Sequence, residues 1–388
     1  MKNLFETLKD IEKEVIPLEE VEIISLENAI NRILAKDLYA QKNLPSFDNA
    51  ALDGYAFNYM DLKEALSIKG VIFAGDSKTY EIGKNECYKI MTGAKMPKNA
   101  DTILMVEDEY LENNKLIIKK NPKQFNARRL KGEELKQGEF LLKKGTRLNS
   151  RHIALLASQG IYKIEVVRKI RIGIFSSGNE LKEPWQTCDE ENIYNVNALS
   201  LMSMLNYCEI QYLGIIKDDF NIIKNTLLKT NFDLLITSGG ASMGEADFLE
   251  KAFDELNYKA IFKGVKARPA RPSKLYKKDK QLALVLPGNP MAAYLSCFIF
   301  AKKIINLLNN TFEKSFKISA KMGVDLKIKK GRNNFILGNL ENEFFIPFNN
   351  NQFGSGMILP LINSEFLLIS EEKIEKYHKG DLIELLKP

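Results

Sequence analysis

Histidine is almost missing from this chain: two in 388 residues, His152 and His378. They lie far apart in sequence, which excludes a His-rich zinc site and argues against a Ser-His-Asp triad. His152 falls in a helical pattern behind Ser150, a good N-cap, and reads as a helix-surface residue. Cysteine is scarce and scattered. Cys87, Cys188, Cys208 and Cys297 show no metal-ligand spacing, so a reduced, cytoplasmic protein without disulfides is expected. No charge of either sign dominates. Fifty-six basic and 50 acidic residues leave a net charge of +6, too mild for a nucleic-acid binder but compatible with small anionic substrates. The N-terminus lacks the apolar core of a signal peptide. No apolar stretch approaches the roughly 20 residues of a membrane span, so no membrane partner is expected. Internal repeats and low-complexity segments are absent as well.

What is present is organised around residues 232–247, Phe-Asp-Leu-Leu-Ile-Thr-Ser-Gly-Gly-Ala-Ser-Met-Gly-Glu-Ala-Asp. Leu234, Leu235 and Ile236 form an apolar run without a polar face, as in a parallel strand covered on both sides. The run stops at Ser238-Gly239-Gly240, and a helical pattern begins after Gly244. A strand, a Gly/Ser loop and a helix N-terminus make an anion cradle. The same pattern also suits an ordinary βα turn that binds nothing. Glu245 and Asp247 fit beside an anion if a hard cation such as Mg²⁺ lies between them.

Residues 3–16 read as an amphipathic helix, 21–26 as a strand, 27–33 as a short helix and 38–44 as extended chain. A Pro/Gly-bounded loop, residues 45–56, carries Asp48 and Asp53; turn-forming is the plain reading of each. Residues 55–144 alternate short strands with Gly, Asn and Pro breaks and read as an all-β insertion, barrel-like in its spacing. Thr92-Gly93 ends one of those strands at a turn. From residue 168 to 308, strands and helices alternate as in a doubly wound α/β domain. Ligands of such sheets bind at the carboxyl ends of the strands, and the polar turns fall there. Residues 176–181 (Ser-Ser-Gly-Asn-Glu-Leu) follow one strand, 217–219 (Lys-Asp-Asp) the next, then Ser238-Gly239-Gly240, then 287–290 (Pro-Gly-Asn-Pro). Glu180, Asp218 and Asp247 are candidates to converge on a metal, and Gly239, Gly240 and Gly288 to hold phosphates. Strand-like runs beyond residue 316 suggest a small C-terminal β domain. The expected scheme is therefore a multi-domain α/β plus β protein. It has an N-terminal helical and extended region (1–44 with 145–167), the inserted β domain (45–144), the doubly wound domain (168–315) and a β-barrel-like domain (316–388).

These motifs, in order and nearly end to end, resemble the MoeA/gephyrin family. They are Pro45-Ser-Phe-Asp-Asn-Ala-Ala-Leu-Asp-Gly-Tyr-Ala56, Met91-Thr-Gly-Ala94, Gly178-Asn-Glu-Leu181, Ser238-Gly-Gly240 with Gly244-Glu-Ala-Asp247, and Leu286-Pro-Gly-Asn-Pro290. The resemblance implies a molybdopterin molybdenumtransferase with a molybdopterin-binding α/β domain. Such an enzyme inserts molybdate, a substrate, into adenylylated molybdopterin and releases AMP with Mg²⁺. It further implies a homodimer with a shared active site and an upstream molybdopterin adenylyltransferase. Asp53, Thr92 and Asp247 are then the catalytic candidates. Substrate binding falls to Asp48, Asn49, Gly93, Ser177, Gly178, Ser238, Gly239, Gly240, Ser242, Lys266, Arg268, Pro287, Gly288, Asn289 and Pro290. Glu180, Asp218 and Asp247 are the metal ligands. This chain departs from the family pattern at Lys95, where a proline is usual, and at Arg268-Pro-Ala-Arg-Pro272, which lacks the usual glycine. It departs again at Gly354-Ser-Gly-Met357, which lacks a His. A non-catalytic cofactor carrier or a gephyrin-like scaffold is the alternative reading.

Overall fold

The structure, a computed structural model, describes residues 1–229, 231–239, 246–311 and 317–388, with the backbone alone for Ala246 and Asp247. The chain divides into two compact units. The first comprises Met1–Glu22, Asn31–Ile33 and Val166–Pro388, and the second Ile23–Ile30 and Leu34–Glu165.

In the first unit, helix α1 (Leu4–Glu14) starts with a capping box. The Asn3 side chain accepts the Glu6 N–H at 2.9 Å and the Glu6 carboxylate accepts the Asn3 N–H at 3.1 Å, which satisfies two otherwise orphaned donors. The helix ends short of the expected residue 16 because Pro17 disfavours helical geometry at Ile16. The expected short helix over residues 27–33 is reduced to a single 3₁₀ turn, Leu26–Asn28. Asn31 takes a left-handed conformation (φ 63°) that no α-helix can continue through.

The second unit carries one six-stranded sheet of β1 (Gly54–Phe57), β2 (Leu66–Ile72), β3 (Glu86–Ile90), β4 (Thr102–Met105), β5 (Leu111–Glu112) and β6 (Lys115–Leu116), in the order β4-β1-β3-β2-β6-β5. Among the described residues no pairing joins β4 to β5. The insertion is thus an open sheet, not the barrel its spacing suggested. Helix α2 (Ser150–Ser158) is capped by Asn149, one residue before the expected Ser150. His152 Nδ1 accepts the Asn149 N–H at 3.3 Å, so this histidine closes a helix cap.

The first unit continues with β7 (Arg171–Ser177), α3 (Val196–Met204), β8 (Glu209–Ile216), α4 (Phe220–Lys229), β9 (Leu234–Ser238), α5 (Ala246–Glu255), β10 (Lys259–Lys263), β11 (Lys274–Lys278) and β12 (Gln281–Leu286). The sheet order is β8-β7-β9-β12-β11-β10. The first four strands are parallel, and the β11–β12 hairpin makes the sheet mixed. Strand β11 was not legible as a strand in the sequence. Side chains alternate between two cores, as the pleat demands. Leu234, Ile236, Leu282, Leu284 and Leu286 enter one, and Leu235, Ala283 and Val285 the other. The chain leaves β7 for β8 on one side and then crosses to β9 on the other. The carboxyl ends of β7 and β9 therefore flank a topological switch point, where open α/β sheets form a crevice.

Helix α6 (Pro290–Leu308) is 19 residues long and apolar enough to cross a bilayer by length and composition. The expectation that no stretch comes near that length fails here. Its apolarity is used in packing: Met291, Leu295, Phe300, Ile304, Ile305 and Leu308 are buried in the larger core. Strands β13 (Lys317–Met322), β14 (Asn333–Glu341), β15 (Phe344–Pro347), β16 (Phe366–Ile369) and β17 (Leu382–Leu386) follow. The pairings β13–β15, β15–β14, β14–β16, β16–β17 and β17–β13 close a five-stranded barrel. Phe335, Leu337 and Leu367 of the barrel join the same core as the α/β sheet.

Asp233, at the start of β9, anchors the sheet end away from the crevice. Arg168 donates to both its carboxylate oxygens at 2.7 and 2.9 Å, and the Arg171 N–H adds a bond of 2.8 Å. Burial alone would push the Asp233 carboxyl up, but these donors outweigh it and hold the group below the usual carboxylate range. A depressed native pKa means stability that is complete above the unfolded value near 4 and lost as pH falls through the native value. Arg168→Met is expected to cost about 3 kcal/mol, since it strands a buried charge. Urea melts from pH 7 to pH 3 should show the gap between the variant and the unsubstituted protein narrowing as pH falls, because the variant no longer has the Asp233 contribution that acid removes.

Candidate active site

At the switch point the backbone of β9 presses on that of β7. Gly239 has φ 99°, and a β-carbon there would lie 2.2 Å from the Ser177 carbonyl oxygen. Only glycine fits both constraints. A β-carbon on Gly288, in the loop after β12, would sit 3.7 Å from Gly239 Cα, so the third loop lies against the second. These loops and the N-terminus of α3 enclose a cavity of about 380 Å³ lined by Ser177, Glu180, Asn195, Asn197, Ser238, Gly239 and residues 287–290. Ser177, Glu180, Ser238, Gly239, Pro287, Gly288, Asn289 and Pro290, all expected from the sequence, are brought together there. Gly178 lies between Ser177 and Glu180, and a β-carbon on it would fall 2.8 Å from a Glu180 carboxylate oxygen. The Ser177 hydroxyl bonds Asp218 from the loop after β8. Gly240, Ser242 and the Asp247 side chain lie outside the described residues. Among the described residues no three His, Cys, Asp or Glu side chains gather as metal ligands would.

The α3 wall of this cavity escaped the sequence reading. Asn195 caps the helix and accepts the Ser176 hydroxyl at 2.9 Å. Its amide donates to the Tyr212 oxygen at 2.8 Å, and that phenol donates to Glu183 at 2.6 Å. Burial and the Glu183 carboxylate push the Tyr212 phenol up, so it stays a donor. Asn197 donates from Nδ2 to the Ser238 hydroxyl at 2.6 Å and to the Gly288 carbonyl at 2.7 Å. The available signal was residues 193–197, Ile-Tyr-Asn-Val-Asn, which place an N-cap residue immediately before an apolar helix.

A second cavity, about 520 Å³, adjoins the barrel and is lined by Arg268, Lys327, Lys329, Arg332, Asn334 and Ser355, among others. Arg268 lies in a short strand, Ala267–Arg268, parallel to the start of β14. Among the described residues no carboxylate lines this cavity, and neither Arg268 nor Arg332 has an ion-pair partner. Burial, with Arg268 and Arg271 nearby, pushes the Arg332 guanidinium down, the signature of cations gathered without a counter-charge. Lys266, expected to join them, instead pairs with Glu372 at 3.2 Å. Asn289 of the first cavity donates to Ser355 of the second at 2.8 Å, so one hydrogen bond links the two walls.

In the second unit, Asp53 ends the loop before β1. One of its oxygens accepts the Thr92 N–H at 2.7 Å and the Thr92 hydroxyl at 2.6 Å. Those two bonds, hydroxyl first, hold the exposed Asp53 carboxyl below its ordinary range. Gly93 (φ 80°) makes the turn and donates to Ala50 at 2.8 Å. Asp48 is occupied within its own unit by the Arg128 guanidinium and the Lys131 N–H. Asn49 pairs with Arg129 in a two-stranded ladder and bridges to Lys95.

A glycine-lined crevice at the switch point of a doubly wound sheet, with a helix N-terminus in its wall, is where α/β domains of this class take their ligands. Comparison with known proteins gives the family. Residues 3–160 match the model described as "MoeA N-terminal region (domain I and II)", and 173–306 match "Probable molybdopterin binding domain". The molybdopterin molybdenumtransferase of Haemophilus influenzae is 32% identical over 82% of this chain and 81% of its own length. That of Bacillus subtilis is 34% identical over 75% of this chain and 72% of its own. The solved molybdopterin biosynthesis MoeA protein of Pyrococcus horikoshii superposes with a TM-score of 0.85 over the whole of both chains, at 26% identity. The chain belongs to the MoeA family of molybdopterin molybdenumtransferases, and is an enzyme of that kind.

The Asp53 geometry carries its own test. In a Thr92→Val variant the N–H bond survives and the hydroxyl bond does not. The Asp53 carboxyl should then rise toward the ordinary value of about 4, followed by carbon-detected NMR titration of its side chain.

Proposed function

We propose that this chain inserts molybdate into adenylylated molybdopterin and releases AMP, completing molybdenum cofactor synthesis. The observation that carries the reading is the pair of adjoining cavities. One is walled by glycine loops suited to phosphates and the other by cations without counter-charge, with the Asn289–Ser355 bond between them. In this reading the loops at Gly239 and Gly288 approach the phosphates closely, and Gly240 and Ser242 are further substrate contacts implied by the family motif. Arg268 and Arg332 hold the oxyanion by charge-assisted hydrogen bonds. Lys266, neutralised by Glu372, is the weaker contributor.

In this reading magnesium would be held by the carboxylates carried over from the family motifs, which do not gather as a three-ligand cluster among the described residues. Glu180 and Asp218 offer the hard oxygen ligands it prefers, with Asp247 completing the set. Bound there it would polarise the phosphoanhydride. Asp53, already ionised and held by Thr92, orients a proton, a water or the pterin. Asp48 and Asn49 shape its loop, and Gly93 lets Thr92 turn toward it. We further propose that the enzyme works as a homodimer whose two copies share the active site. It takes its substrate from a molybdopterin adenylyltransferase in the cytoplasm. Free Cys87, Cys188, Cys208 and Cys297 are in keeping with that reducing compartment.

The test is AMP release from adenylylated molybdopterin with Mg²⁺, with and without molybdate. Molybdate-dependent release, with a product that activates a molybdenum-free apoenzyme, is the expected result. Tight binding without release would favour the carrier. Arg332→Met should raise the KM for molybdate by about 10-fold or more, as loss of a hydrogen bond to a charged group does, and leave AMP affinity nearly unchanged. Asp53→Asn should cut turnover by roughly 10²–10⁴-fold, the range for loss of a positioned proton-transfer group, with substrate affinity kept.

A further inference from the structure

We infer that Asn197 is a positioning residue: it sets the gap between the Ser238-Gly239 loop and the Gly288 loop and aims the Ser238 hydroxyl at the substrate phosphate. The inference rests on reading the 380 Å³ cavity as the nucleotide site.

Asn197 is only 8% exposed, at the start of α3. Its two Nδ2 protons are both used, one on the hydroxyl of Ser238 and one on the carbonyl of Gly288. These acceptors belong to loops after two neighbouring strands, β9 and β12, so a single amide staples them together. The amide cannot be reversed, because its oxygen would then face the Gly288 carbonyl. The consequence is a buried Oδ1 with no hydrogen-bond partner among the described residues. A buried orphan acceptor is costly, and in native proteins each one calls for an explanation. Here the explanation is the staple: the amide is held with its donors toward the two loops, and the oxygen goes without.

The staple has a second effect. By donating to Ser238 Oγ, Asn197 occupies an acceptor position of that hydroxyl. Among the described residues the Ser238 proton has the Pro287 carbonyl as its acceptor, at a long 3.4 Å. A hydroxyl with a lone pair engaged and its proton on so long a bond is placed to turn that proton to an incoming phosphate oxygen. Without Asn197 the hydroxyl would be free to rotate and the Gly288 carbonyl would lose its donor, so the phosphate contacts would no longer be prearranged.

The experiment is calorimetric titration of the full-length protein with AMP, for the unsubstituted chain, Asn197→Ala, Ser238→Ala and the double variant, with thermal melts of each. Asn197→Ala is expected to weaken AMP binding by about 10- to 100-fold while keeping a cooperative melt. The double variant should bind within about twofold of Asn197→Ala, because the Ser238 hydroxyl is already misdirected there. If Asn197→Ala does not fold, Asn197→Ser, whose single, shorter hydroxyl donor cannot bridge both loops, is expected to show the same loss. An affinity within twofold of the unsubstituted protein, or losses that multiply in the double variant, would overturn the inference while the nucleotide reading stands. Failure of the unsubstituted protein to bind AMP would overturn the nucleotide reading and the inference together.

Discussion

The near-contact between the ends of β7 and β9 is the constraint on which the site depends. The Ser177 carbonyl lies where a side chain on Gly239 would begin, so the two strand ends meet as bare backbone. Everything around the crevice follows from that approach. Gly288 packs on Gly239, the N-terminus of α3 reaches across to Ser238 and Gly288, and Asp218 ties back to Ser177. The apolar alternation of β9 and β12 drives the same arrangement from below. Two cores, one on each face of the sheet, hold the strands in the register that brings their polar ends level.

Electrostatics divides the labour between the two cavities. At the switch point, backbone and amide groups supply partial charges in a space that also contains a carboxylate, Glu180. Beside the barrel, Arg268 and Arg332 supply full charges that no carboxylate among the described residues neutralises. Charge left uncompensated costs stability, and such sites gather where a ligand completes them. Lys266 shows the opposite case. Adjacent in sequence to Ala267–Arg268, it is satisfied internally by Glu372 and is the weaker candidate.

Much of this was legible beforehand. The strand-loop-helix rhythm of residues 168–308 gave the doubly wound domain, and the Gly/Ser turns lay where such a domain puts its ligands. Errors arose where local pattern met a tertiary demand. Helix α6 is apolar enough to resemble a membrane span because it is wrapped by core. Residues 27–33 have helical periodicity that a left-handed Asn31 interrupts. Strand β11, with Lys at both ends and in its interior, hid its pairing with β12 behind charge. Asp48, read as a turn former and by resemblance a substrate contact, has partners no local pattern states, the Arg128 guanidinium and the Lys131 N–H.

The sequence by itself determined what depends on local chemistry: which segments are strands or helices, where glycine was needed, and which motifs mark the family. Hydrophobic period, turn residues and motif order are written along the chain, so they can be read without folding it. Only the tertiary structure decided the roles of residues that act across distance. Asn197 meets Gly288 across 91 positions and Ser238 across 41, and Asn289 meets Ser355 across 66. A hydrogen bond needs its partners within about 3 Å, and no linear pattern states which distant groups will come that close.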